Sequence, residues 1–126
     1  MVPAETMLPE RKNWPYAVDH EPVKEDAVNK KTVKGLQFST HYYQFPPACA
    51  GCGETAYVKM VTQLFGDRMY IANASGCTAA HGGCLPSTPY CKDKRGFGAP
   101  WEQSLFEDNA EFAFGFLQAH YSLNAE

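Results

Sequence analysis

The chain has 126 residues, 44% of them apolar, and a formal net charge of −3. That length suits one domain with a real core, and the apolar content argues against disorder throughout. The acidic balance makes nucleic acid a poor candidate partner. The longest apolar run is far too short to cross a bilayer. The opening Met1-Val2-Pro3-Ala4-Glu5 has no basic stretch leading into an apolar core, so no signal peptide is visible. The expected compartment is the cytosol, where thiols stay reduced and more often bind metal or react. Five cysteines, an odd number, count against a complete disulfide framework.

In chain order, residues 1–35 read as a poorly structured connector or arm. Pro3, Pro9, Pro15 and Pro22 interrupt helices, and Glu21 to Lys34 is charged with little apolar periodicity. Trp14 and Tyr16 are candidate docking points for this arm. Gly35 to Phe45 reads as an extended lead-in ending at Pro46-Pro47. Then comes Cys49-Ala50-Gly51-Cys52-Gly53-Glu54-Thr55, two cysteines three apart with glycines beside them. The spacing that follows predicts a helix over residues 54–65. Tyr57, Met60, Val61, Leu64 and Phe65 would form one buried stripe, and Gly66 would close the helix as a C-terminal glycine. Residues 69–73, short and apolar, predict a strand buried on both faces. Asn73 to Thr78 follows it. Residues 79–101 read as a long loop rich in glycine and proline, of the kind that carries function or covers something. A second helix is expected from Ser104, as N-cap with Glu107 as its capping-box partner, to about Leu123. Loop, helix, turn, strand and loop make half of a parallel α/β unit. No internal repeat is visible.

The chemistry-bearing residues are the cysteines. Cys49 and Cys52 precede a helix, whose dipole and free N–H groups stabilise thiolates. Gly51 and Gly53 let the backbone pass close to a bulky partner. Cys77 follows a strand at its carboxyl end, where open α/β sheets bind ligands. Three thiolates suit zinc or an iron–sulfur cluster; a redox C-x-x-C is the other reading. A zinc site would take its fourth ligand from His81, Cys84 or Cys91, although Cys84 and Cys91 also read as plain small loop residues. Glu54 reads as a helix-dipole partner, and Asp108, Asn109 and Glu111 as a solvated helix face. His20, His41 and His120 have no partner at ligand spacing. There is no dinucleotide-binding glycine fingerprint and no phosphate-binding Walker loop.

Four stretches carry a resemblance: Cys49 to Thr55, Leu64-Phe65-Gly66-Asp67-Arg68-Met69, Ile71-Ala72-Asn73-Ala74-Ser75-Gly76-Cys77, and Ser104-Leu105-Phe106-Glu107-Asp108-Asn109-Ala110-Glu111-Phe112. They resemble the pyruvate:ferredoxin (flavodoxin) oxidoreductases over roughly residues 33–117. The resemblance implies the N-terminal part of a thiamine-diphosphate-binding domain. That is a Rossmann-like three-layer α/β/α fold with a parallel sheet, incomplete here. Residues 36–126 would belong to it and residues 1–35 would be the connector. It further implies oxidative decarboxylation of pyruvate to acetyl-CoA and carbon dioxide, with coenzyme A as co-substrate. Electrons would pass through [4Fe-4S] clusters to ferredoxin or flavodoxin, in a parent enzyme that is a homodimer. By the resemblance Cys49, Cys52 and Cys77 are ligands of the [4Fe-4S] cluster nearest the thiamine; backbone N–H groups near Gly76, Cys77 and Thr78 are then expected to contact the diphosphate. The fourth cluster ligand and the residues that bind Mg2+ lie further downstream in the family, so this chain alone would be inactive. It departs from the family at His81, where Trp is common, at Pro46-Pro47 in place of Ser-Gly, and at Ala99-Pro100, which reverses the usual order.

Overall fold

The computed structural model describes residues 2–21 and 25–125; Met1 and Pro22, used above, lie outside them. Short helices open the chain: a 3-10 segment Ala4–Lys12, α1 Asn13–His20, a 3-10 turn Glu25–Ala27 and α2 Val33–Leu36. The folded centre is α3 Gly53–Phe65, β1 Ile71–Ala74, α4 Cys77–Gly82, β2 Trp101–Ser104 and α5 Phe106–Leu123. Strands β1 and β2 pair in parallel, Ile71 beside Trp101 and Ala74 beside Ser104. A parallel pair needs a crossover, and the crossover here contains α4. Among the described residues this two-stranded sheet is the whole sheet, so the architecture is a small mixed α/β unit, consistent with an incomplete α/β fold.

Residues 4–20 form helical turns despite two prolines. Pro9 sits inside the 3-10 segment. Pro15 falls in the first turn of α1, where its missing N–H has no intrahelical acceptor to lose. Neither helix buries a residue. Trp14 meets Phe45 edge-on, with ring centroids 5.4 Å apart, and Lys94 Nζ donates to the Asp19 carbonyl at 2.8 Å. Tyr16 instead stacks on His20 of its own helix.

Helix α3 begins one residue before expectation, and its orientation corrects the stripe drawn from periodicity. Tyr57 is 68% exposed, and Val61, Leu64 and Phe65 also face out. The residues buried on α3 are Thr62 and Gln63. Their donor groups find acceptors there, although Gln63 Oε1 is buried without a partner among the described residues. Thr62 Oγ1 donates to the carbonyls of Val58 and Lys59. Gln63 Nε2 donates to the carbonyls of Leu36 at 3.1 Å and Ser39 at 3.3 Å. The lead-in is therefore no mere tether: Leu36, Tyr42 and Tyr43 are the centre of the core, with Ala79 and Ala99. Tyr43 bridges to Tyr90 in antiparallel fashion. Gln44 N donates to the Pro89 carbonyl at 2.8 Å and Cys91 N to the Tyr42 carbonyl at 3.0 Å.

Gly66 caps α3 in right-handed helical backbone, φ −59°, not the left-handed cap that a C-terminal glycine suggests. Glycine is required for space: a Cβ there would lie 2.4 Å from the Thr62 carbonyl oxygen and 2.6 Å from the Tyr42 ring.

Strand β1 starts two residues later than expected, and its residues are half-buried. The region read as one long loop holds the last four residues of α4 and reaches β2. Helix α5 ends at Leu123 as expected but begins at Phe106, with Leu105 as N-cap and no side-chain cap. Ser104 ends β2 instead, and its hydroxyl donates to Asp108 Oδ2 at 3.2 Å. No residue of α5 is buried; Phe106 is 80% exposed, and Phe112, Phe114 and Leu117 are open too. Among the described residues no helix is long and apolar enough to cross a membrane.

Candidate functional site

The C-x-x-C segment folds as a tight turn. Cys52 N donates to the Cys49 carbonyl at 3.0 Å, and Gly51, third of the four residues, has φ +73°. A type II turn demands that backbone sign at its third position, and glycine supplies it without strain. Cys52 is then the N-cap of α3, followed by Glu54 in the first helical turn. A Cβ added at Gly51 or Gly53 would meet nothing within 4 Å, and the same holds at Gly76 beside Cys77. Both cysteine-bearing turns thus face open space.

Cys77 opens α4 directly beyond β1, at the carboxyl end of the strand as expected. The two cysteine segments are joined through the side chains that follow them. Thr78 Oγ1 donates to Glu54 Oε1, and His81 Nε2 lies 3.5 Å from the same oxygen. Cys49, Cys52 and Cys77 are all free thiols, exposed or half-exposed. Among the described residues no three Cys, His, Asp or Glu side chains are gathered as a metal site. The structure therefore brings the first turns of α3 and α4 together but does not close the three sulfurs onto one point, which the sequence-based expectation of convergence required. Cys84 is also a free, exposed thiol. Cys91 is half-buried, its Sγ donates to the His41 carbonyl at 3.3 Å, and burial pushes its thiol up, away from thiolate chemistry.

His81 is no loop residue. It is 4% exposed, in the last turn of α4, with Nδ1 hydrogen-bonded to the Tyr43 hydroxyl. Burial, then the charges of Tyr90, Glu54 and Cys52, hold the Tyr43 hydroxyl well above the usual phenol range. It keeps its proton, and the bond to Nδ1 runs in the direction that the ring tautomer sets. Tyr90 beside it is raised mainly by burial, against a hydrogen bond with Asn73. Sequence reasoning missed this Tyr43–His81–Glu54–Thr78 chain. Its only legible signals were the position of Glu54 two residues after Cys52 and that of Thr78 next to Cys77. A separate open cleft of about 1190 Å³ is lined by Trp14, Phe38, His41, Lys59 and Arg68 among others, and no cysteine lines it.

No family model matches the chain. It is 52% identical over 117 residues to a pyruvate-flavodoxin oxidoreductase of Enterobacter agglomerans, covering 93% of the chain and 10% of the relative. It is 52% identical over 120 residues to a pyruvate:ferredoxin oxidoreductase of Moorella thermoacetica, covering 94% and 10%. Over most of its length the chain is similar to a short segment of these pyruvate oxidoreductases. A pyruvate-flavodoxin oxidoreductase of Klebsiella pneumoniae shares 54% identity over 104 residues, 82% of the chain and 9% of the relative. The chain thus spans about a tenth of the length of these pyruvate oxidoreductases. Matches that cover 93% or more of the chain include most of residues 1–35.

Proposed function

We propose that this chain is the cluster-ligating segment of a cytosolic 2-oxoacid oxidoreductase. The whole enzyme would convert pyruvate and coenzyme A to acetyl-CoA and carbon dioxide on thiamine diphosphate with Mg2+. Ferredoxin or flavodoxin would take the electrons, and the enzyme would be a homodimer. The observation that carries this reading is 52% identity to a pyruvate-flavodoxin oxidoreductase over 93% of the chain.

The donor chemistry fits an iron–sulfur cluster. Cys49, Cys52 and Cys77 are free and accessible thiols, soft ligands of the type such clusters use. The open space beside Gly51, Gly53 and Gly76 leaves room for inorganic sulfide. A bound cluster would supply one-electron transfer. The role of this chain is to present two thiolates in the turn that leads into α3 and the third at the start of α4, near unpaired N–H groups that favour negative charge. Gly76, Cys77 and Thr78 would meet the diphosphate through their backbone, because the Thr78 hydroxyl is already engaged by Glu54. No observation favours the zinc module or the thiol redox protein. His81, a candidate fourth zinc ligand, is turned into the core on Tyr43.

Anaerobic reconstitution of the chain with iron and sulfide tests the reading. Iron and acid-labile sulfide should be retained, and Cys49→Ser, Cys52→Ser and Cys77→Ser should each abolish retention. Cys84→Ser and Cys91→Ser should leave it intact. Loss of retention in the last two variants alone, or stoichiometric zinc in place of iron, overturns the assignment.

A further inference from the structure

We infer that His81 is a positioning residue that sets the spacing between Cys52 and Cys77 by locking the rotation of α4 against the first turn of α3. The purpose of that spacing rests on the ligand reading above; the spacing itself does not.

The anchor on one side is the core. Tyr43 is 2% exposed. It packs edge-on against Tyr90, with centroids 5.1 Å apart, and against the His81 ring, at 6.0 Å. Its hydroxyl holds His81 Nδ1, so the imidazole cannot swing without breaking a buried hydrogen bond.

On the other side, His81 Nε2 is buried and has no hydrogen-bond partner among the described residues. A buried ring nitrogen left unpaired is costly. Glu54 Oε1, 3.5 Å away, is positioned to relieve that cost as a charge–dipole contact. The same oxygen accepts from Thr78. Thr78 and His81 are three apart on α4 and therefore lie on one face of it. A single contact would let α4 pivot about its axis. Two contacts to one oxygen, with a third point fixed in the core, remove that freedom. Cys77 immediately precedes Thr78, and Cys52 lies two residues before Glu54, so a locked α4 is a locked relation between the two thiols. The residue that carries the lock is His81, because it touches both the core anchor and the carboxylate.

The test measures spacing without any metal. In the full chain with Cys49, Cys84 and Cys91 changed to Ser, Cys52 and Cys77 are joined by a short bifunctional maleimide. The rate of intramolecular closure is compared with mono-alkylation of each thiol. His81→Phe fills the site and removes both ring nitrogens; it should slow closure several-fold while each thiol alkylates at its former rate. His81→Gln, which keeps a donor for Glu54, should recover most of the loss. Glu54→Gln leaves the core untouched and should slow closure in the same direction, so it decides the matter if the Phe variant fails to fold. Closure unchanged in Glu54→Gln, and in any folded His81→Phe, overturns the inference. Cobalt(II) added to the chain with all its cysteines separates the two readings. A thiolate-to-cobalt band present with His81 and weakened by His81→Phe supports both. Slowed closure with no band in the unsubstituted chain sustains the positioning role while the ligand reading fails.

Discussion

The Thr78 hydroxyl donates to the Glu54 carboxylate across 24 residues of chain. This bond fastens the first turn of α4 to the first turn of α3, at the residues that follow Cys77 and Cys52. Removing the donor leaves the Glu54 oxygen with the weaker His81 contact alone. Thr78→Val, which keeps the shape, should cost about 1.5–3 kcal/mol in chemical denaturation, the range for a hydrogen bond to a charged group. Thr78→Ser should cost less. Equal stability of the Val variant and the parent would mean the bond contributes nothing.

Helix α3 inverts the usual rule of apolar inside and polar outside, and a pair of variants can show it. Gln63→Leu leaves the buried carbonyls of Leu36 and Ser39 without their donor, at a cost of about 2 kcal/mol. Leu64→Gln, on the exposed stripe, should change stability by no more than about 0.5 kcal/mol. Urea titrations that rank the two the other way would restore the orientation read from periodicity.

Gly66→Ala should destabilise the protein although its backbone is helical. The new methyl would strike the Thr62 carbonyl and the Tyr42 ring, and overpacking of this kind costs about 1–3 kcal/mol. A gain in melting temperature, as expected for Gly→Ala in an unobstructed helical position, would contradict the close approach.

Acid should weaken the fold through His41. Burial first, then the positive charge of Lys59, lowers its pKa from 6.5, against a smaller opposing effect of Glu21. The folded state therefore binds its proton at lower pH than the unfolded chain does. Stability is fully present above pH 6.5 and falls as pH drops below it, where the unfolded chain takes up the proton first. His41 is surface-accessible, so solvent screening keeps the effect modest. Melting curves between pH 7.5 and about 5 should show the loss, and His41→Asn should flatten it. A melting temperature that rises on acidification would reverse the sign.

Local pattern was enough to determine α3, β1 and α5 as elements, to within about two residues, because helix periodicity and a short apolar run are properties of neighbouring residues. Around Cys49 and Cys52 the glycines pointed to a loop, and the structure shows a turn with Gly51 alone of the two at positive φ. Helix α4 was not legible. Six residues that run into Gly82 and Gly83 carry too little periodicity to stand out, and β2, with Glu102 at its centre, lacks an apolar run. Which face of α3 turns inward was decided only by the tertiary structure. Chain folding brings the carbonyls of Leu36 and Ser39 to that helix, and carbonyls removed from water need a donor such as Gln63 more than they need another Leu. The same holds for His81. Its partner Tyr43 lies 38 residues away, and no spacing rule links the two. A histidine near cysteines reads as a ligand until the fold supplies a buried hydroxyl that claims its nitrogen.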